Sequence, residues 1–335
     1  MGIELKNPII VGACNLVTDP KNLKRLEEAG ASAVVYKSLF EEQLHLENLM
    51  ISEVMDAFND RHPEMVNLFP EFDHAGPKEY ITNLKNAKKA LKIPLFASLN
   101  AVYEESWIDY AKEIEKAGID GIELNLYNMP SDNDAGANFM IENQIKIVEG
   151  IKASVKIPVA VKLSPFYANP IALINKMDHQ NADAFVLFNR LFQPDIDIEK
   201  EQLHFPYNLS SEGDYRLAMR FAGLLHGNIK ADICSSGGIF NGNDVAKMLL
   251  AGANTVQVVS TLYINGLGHI SVMLDQLKKW MDSKSYTSVN DFRGKLSKKN
   301  ISDPFAYNRA QYMDERTQMM AWWGDYLEKI AAFSS

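Results

Sequence analysis

Eight short apolar runs recur along the chain, each separated from the next by a longer stretch of helical spacing, and this alternation limits the possible folds most. The runs are Pro8–Ala13, Ala33–Lys37, Pro94–Leu99, Gly121–Leu126, Pro158–Leu163, Ala184–Asn189, Ala231–Cys234 and Thr255–Ser260. They are continuously apolar rather than alternating, as parallel strands buried on both faces require. The stretches between them carry helix boundaries. In "TDPKNLKRLEEAGA", Asp19 is a helix N-cap, Pro20 takes the first helical position and Gly30 is the stop. "NGNDVAKMLLAGA" repeats that logic to Gly252, and "YEESWIDYAKEIEKAGI" stops at Gly118. Eight strand–helix pairs predict a (β/α)8 barrel. An open doubly wound sheet is the alternative, but it would carry a G-x-G-x-x-G after an early strand, and the chain has none. Walker A, H-E-x-x-H and G-x-S-x-G motifs are absent as well.

With 335 residues the chain exceeds the minimal barrel in two places. Ser38 to Lys78 forms a long insertion after the second strand, too long for a simple loop. Residues 1–299 are thus read as the barrel and 300–335 as a helical tail. The tail's "MMAWWGDYLEKIAAF" is expected to pack on the barrel or on a partner subunit. A formal charge of −9 argues against a nucleic-acid partner, and the basic run from Lys85 to Lys92 reads as a solvated helix face. The two cysteines, Cys14 and Cys234, have no zinc or redox spacing. The opening "MGIELKNPIIVGA" enters a strand without a basic-then-apolar leader, and no apolar run reaches the length of a membrane span. The expectation is a soluble cytoplasmic protein with no membrane partner.

In such a barrel, functional residues gather at the C-terminal ends of the strands. Those ends are Ala13-Cys14-Asn15, Lys37-Ser38, Asn100, Asn125, Lys162, Asn189, Ser235-Ser236-Gly237-Gly238 and Ser260-Thr261. The last two are small or glycine-rich turns after the seventh and eighth strands, where this fold commonly holds a phosphate on backbone N–H groups. Lys37 in "VVYKS" and Lys162 in "VAVKLSP" each end a buried run. A lysine there either snorkels to solvent or serves an anion or a reaction. The asparagines offer both donors and an acceptor to a flat, heteroatom-rich ring, although singly each is equally a turn residue.

These residues resemble the FMN-dependent dihydroorotate dehydrogenases, and the resemblance runs from Leu5 to Leu296. It is carried by "NPIIVGACN", "YKS", "IELNL", "VAVKLSPF", "SSGGIFNGNDVAKMLLAGANTVQVVSTLY" and "YTSVNDFRGKL". It implies oxidation of dihydroorotate to orotate in pyrimidine biosynthesis, with FMN across the barrel top. On that resemblance the FMN contacts are Ala13, Cys14, Lys37, Ser38, Asn100, Asn125, Lys162, Phe188, Ser211, Ser236, Gly237, Gly238, Val259, Ser260 and Thr261. Its phosphate would lie on Gly237-Gly238 and Ser260-Thr261, and Lys162 by the flavin N1/O2 edge. Lys37, Asn125, Asn189 and Glu71 would face the substrate, a small molecule.

The sequence departs from the family pattern at the substrate side. After the fourth strand the family has N-L-S-C-P-N or N-F-S-S-P-N, whose Cys or Ser removes the substrate's C5 proton. Here the segment is Asn125-Leu126-Tyr127-Asn128-Met129-Pro130, and the amide of Asn128 stands where the base belongs. Tyr127 is the nearest candidate proton donor or acceptor, with Asn128 and Lys37 beside it in the catalytic set. Glu71 in "EMVNLFPEF" replaces a family Asn, and a carboxylate there would repel an anionic substrate. Ser211 and Val259 stand where the family commonly has Gly. Three readings follow: an FMN oxidoreductase acting on a CH–CH bond with an altered substrate or low activity, a flavin-binding protein without catalysis, or a Schiff-base aldolase using Lys162. No iron–sulfur cysteine set is present, so a cluster would come from a partner chain. A homodimer is compatible with the apolar tail.

Overall fold

A computed structural model describes residues 1–40, 77–101, 104–126, 137–190, 194–204, 209–303, 307 and 319–323. Glu71, Tyr127, Asn128, nearly all of the insertion after the second strand and most of the tail lie outside the described residues.

The eight apolar runs form a closed parallel barrel. Its strands are β1 (Ile9–Val11), β2 (Ala33–Phe40), β3 (Leu95–Asn100), β4 (Gly121–Leu126), β5 (Val159–Leu163), β6 (Ala184–Leu187), β9 (Asp232–Ser236) and β10 (Thr255–Val258). They pair in that order, and β10 closes on β1. Between β6 and β9 the chain makes a separate antiparallel hairpin, β7 (Asp195–Asp197) with β8 (Gln202–His204). The barrel confirms the (β/α)8 expectation.

The helix boundaries follow the local chemistry. Asp19 caps the helix Pro20–Glu28 by accepting from the Lys21 N–H at 2.8 Å, and Gly30 follows at φ +104°. Asn241 caps Gly242–Ala251 by accepting from the Asp244 N–H at 3.0 Å, and that helix ends at Gly252 with φ +127°. Several strand ends differ from the sequence reading. β1 stops at Val11 instead of Ala13, β6 at Leu187, two positions before Asn189, and β10 at Val258 instead of Ser260, whereas β9 runs on to Ser236 and β2 to Phe40. The longer β2 is accommodated by a bulge. Tyr36 pairs with Ala97 and Leu39 with Leu99, so Lys37 and Ser38 together face the single residue Ser98.

Burial is divided between two regions. The main core lies between strands and helices, where Ile9, Leu95, Leu99, Ile122, Leu124 and Phe185 meet Leu23, Leu26, Leu84, Ile114 and Ile151, all fully buried. Inside the barrel there are only small apolar clusters: Ile10, Ala33, Val35 and Phe96 on one side, Ala160, Ala184, Val186 and Cys234 on the other. Between these clusters lies a cavity of about 260 Å³ low in the barrel, flanked by Met1, Ile3 and Leu5 and lined on its polar side by Glu123, Gln257, Asp232 and Arg293. Above it the interior turns polar. Among the described residues, no helix is long and apolar enough to cross a membrane.

Candidate functional site at the barrel mouth

Inward-facing residues alternate with helix-facing ones along each strand. On β4 this alternation sends Glu123 and Asn125 inward, and on β5 it sends Lys162 inward opposite Asn125. The sequence expectations at the strand ends thus meet at one end of the barrel. Asn100 donates through Nδ2 to the backbone oxygen of Asn125 at 2.8 Å. Asn125 in turn accepts at Oδ1 from Asn189 Nδ2 at 2.7 Å, a link that passes over β5. The three asparagines form a chain across the mouth, with Asn100 and Asn125 buried.

Lys162 is buried, 8% exposed, and does not snorkel to solvent. Its Nζ lies 3.4 Å from Oε1 of Glu123 and 3.2 Å from Oε1 of Gln257. Gln257 completes the triangle by donating from Nε2 to Oε2 of Glu123. Lys37, half-buried on the β2 bulge, makes no ion pair with a described residue. Its neighbour Ser38 shares a 2.6 Å hydrogen bond with the buried Ser98 hydroxyl. Ser98 is further held by Tyr80, whose hydroxyl donates to its carbonyl at 3.0 Å and whose phenol burial pushes upward in pKa. Cys14, after β1, has its thiol pKa raised by burial, with the Lys162 charge acting in the opposite direction. Neither cysteine is set up as a nucleophile, since burial pushes the Cys234 thiol up to about 12.

The turns after β9 and β10 build a cradle. Gly237 and Gly238 have φ of +90° and +67°, in the left-handed region that favours glycine. A Cβ on Gly238 would lie 2.8 Å from the Ser211 carbonyl and 2.7 Å from the Tyr215 N, so the chain closes tightly there. A Cβ on Gly237 would meet only open space, which leaves that backbone free to approach another group. Ser260 joins this turn from β10: its Oγ accepts from the Ser210 N–H at 2.8 Å. Thr261 is buried and donates to the Phe240 carbonyl at 3.3 Å. Val259 projects toward Gly12, which follows β1 directly, and Ala13 lies beside it in sequence. A cavity of about 320 Å³ opens here, lined by Phe188, Asn189, Ser210, Asp214, Ser236 and Gly237. Its rim carries an Arg190–Asp214 ion pair at 2.9 Å, and Asp214 also accepts from the Ser211 N–H at 2.9 Å.

The fold therefore brings Asn100, Asn125, Lys162 and Asn189 together, and gathers Phe188, Ser236 and Gly237 around one cavity with Ser211, Gly238 and Ser260 at its turn. Sequence reasoning missed Glu123, Gln257, Ser98, Ser210 and the Arg190–Asp214 pair. For the first two the signal was available: a charged or amide residue inside a run read as buried on both faces has to meet a partner there. Among the described residues no group of three or more His, Cys, Asp or Glu could hold a metal ion.

A donor set of this kind suits a planar, anionic cofactor. The amides can address a heteroaromatic ring, the lysine a developing negative charge, and the glycine turn a phosphate. The family model described as dihydroorotate dehydrogenase matches residues 1–281. The catalytic subunit of dihydroorotate dehydrogenase B (NAD(+)) from Thermoplasma volcanium is 30% identical over 298 residues, covering 88% of this chain and 95% of the relative. Its counterpart from Methanocaldococcus jannaschii is 26% identical and covers 85% of this chain and 93% of its own. Dihydroorotate dehydrogenase A (fumarate) from Lactobacillus helveticus is 25% identical over 65% of this chain and 72% of its own. A crystal structure of DHODH from Eimeria tenella, in complex with ferulenol, shares the fold with a TM-score of 0.62 at 15% identity, covering 88% of this chain and 86% of that one.

Proposed function

Since the chain belongs to the dihydroorotate dehydrogenase family, we propose that it is an FMN-dependent oxidoreductase acting on a CH–CH bond of a small molecule. The observation that carries this reading is the convergence of a buried lysine, a chain of three asparagines and a glycine turn at one barrel mouth. These residues fit FMN. Gly237 and Gly238 with Ser260 would hold the phosphate, Asn100 and Asn125 the ring edge, and Lys162 the N1/O2 side. FMN, when bound, supplies a two-electron acceptor for a hydride leaving the substrate carbon. The chain's own residues must bind and orient the substrate, exclude water and take the proton. Asn125 and Asn189 are the candidates for orientation, and Lys37 on its bulge supplies a cation to an anionic group.

The proton is where this chain differs from its family. Asn128 occupies the position of the family's base and cannot accept a proton at useful pH, and Glu71 disfavours an anionic substrate. We therefore read the substrate as altered, or the activity on dihydroorotate as low, with Tyr127 the nearest group able to exchange a proton. The same departure favours a second reading, a flavin-binding subunit without catalysis of its own. With two cysteines in the whole chain, electrons passing to NAD, as the names of the B-type relatives state for those enzymes, would travel through a partner chain. The purified protein should be yellow and release FMN, identified by mass. Anaerobic mixing with a panel of dihydropyrimidines and related small acids, read through the flavin absorbance, should find one that bleaches it faster than dihydroorotate. A colourless protein that takes up no FMN overturns the reading, and a flavin that no donor reduces leaves the binder.

A further inference from the structure

We propose that Glu123 is a positioning residue that sets the place and effective charge of Lys162, and through it the reduction potential of the site; this rests on the FMN reading above. Glu123 is 2% exposed and lies one inward-facing layer below Lys162, since Asn125 pairs with Lys162 and Glu123 with Ala160. The ammonium therefore turns down from the mouth to meet the carboxylate, 3.4 Å away, instead of standing free at the strand end. Gln257 locks the arrangement. Its amide oxygen faces the cation at 3.2 Å and its amide NH₂ faces the carboxylate, so its orientation satisfies both charges. The space is built in just past the end of the neighbouring β1, because a Cβ on Gly12 would come within 3.2 Å of the Gln257 amide oxygen and 2.9 Å of Val259 Cγ2.

Stability alone is a poor reason for such a network. Replacing a buried ion pair with apolar residues of similar volume is often neutral or stabilising, whereas removing one partner is costly. The clusters in the barrel layers below are apolar, with Asp232 and Arg293 also lining the cavity among them. What the carboxylate does change is the field at the mouth. A negative charge this close cancels part of what Lys162 projects toward a group above it, in a region of low dielectric. Loss of that charge makes the mouth more positive, which favours the negative charge that a flavin gains on reduction.

The test is the two-electron midpoint potential of the FMN-loaded protein, wild type against Glu123→Gln, with FMN affinity as the control. The isosteric amide keeps the contact to Lys162 and removes the charge. Expected is a shift of the reduction equilibrium of about tenfold toward reduced flavin, ~30 mV more positive for a two-electron couple, with FMN still bound. Glu123→Asp, which keeps the charge but withdraws it by one methylene, should shift it in the same direction by less, and it serves alone if the amide variant does not fold. A potential that is unchanged or more negative in the variant that folds overturns this proposal and leaves the FMN reading intact. A wild-type protein that holds no FMN overturns both.

Discussion

At the scale of single residues, the proposed function rests on a cofactor side whose sequence motifs match the family's and a proton side whose motif departs from it. Asn100, Asn125 and Asn189 are joined by hydrogen bonds and Lys162 lies opposite Asn125 in register, whereas on the proposed reading Asn128 takes the place of a thiol or hydroxyl base. General-base assistance is worth about two to four orders of magnitude in rate, so dihydroorotate should reduce the bound flavin slowly. Asn128→Cys should then raise that anaerobic rate by at least ~10-fold. The gain should grow as pH rises through the thiol range near ~8.5, where the thiolate forms. Stopped-flow absorbance across pH is the measurement. Rapid bleaching of the unmodified protein, or a variant with neither the gain nor the new pH dependence, would show that another residue is the base. What could not be read at this scale was the partner of Lys162. Glu123 and Gln257 sit within "GIELNL" and "TVQVV", and an apolar run tells which strand is buried but not which side chains meet across the barrel.

Among the elements, the eight barrel strands were legible because burial on both faces leaves a continuous apolar signature. The hairpin of β7 and β8 was not. Its three-residue strands are polar and mostly exposed, with Ile196 and Leu203 each 63% exposed, so no burial pattern marks them. The β2 bulge was equally hidden, since it is a property of register with Ser98 rather than of composition. One inter-element clamp carries a pH dependence. His226, just after the helix Tyr215–Leu225, meets the Gly252 carbonyl through Nδ1 at 3.1 Å, and a Cβ on either Gly252 or Gly294 would overlap its side chain. Burial holds its pKa below the ordinary value, and the Arg293 and Lys299 charges act in the same direction. The unfolded chain therefore takes up this proton first as pH falls through ~6.5. The clamp's contribution is complete above that pH and is lost progressively toward the lower folded value. In calorimetric scans from pH 7.5 down to 5.5, the wild type should be more stable than His226→Gln at the upper end, and the gap should narrow as pH falls. A gap that stays constant would mean that His226 contributes packing alone.

For the whole molecule, the barrel accounts for the site, and the open matter is the apolar surface outside it. Tyr307 is a described anchor of the tail. The ring of Tyr307 lies over Gly223, where any Cβ would overlap it, and its hydroxyl donates to the Leu296 carbonyl at 2.5 Å. Farther on, Met319, Met320, Trp322 and Trp323 are 59%, 62%, 61% and 48% exposed on the chain taken alone. Side chains of that size have a strong tendency to leave water, at roughly 25 cal/mol per Å² of apolar surface, and a cluster of them marks a contact surface. We therefore expect residues 300–335 to cover the barrel or the interface with another subunit, beginning from the Tyr307 anchor. A chain ending at Asp303 would lose the ring over Gly223 together with those four side chains. Its mass in solution, by light scattering, should then differ from that of the full chain, either as a smaller oligomer or as aggregate, and its Tm should fall. The FMN content of whatever remains soluble should be retained, because no described residue of the tail lines the mouth cavity. An unchanged mass and Tm would place the tail outside the folded unit, and the two tryptophans would then need another occupant for their surface.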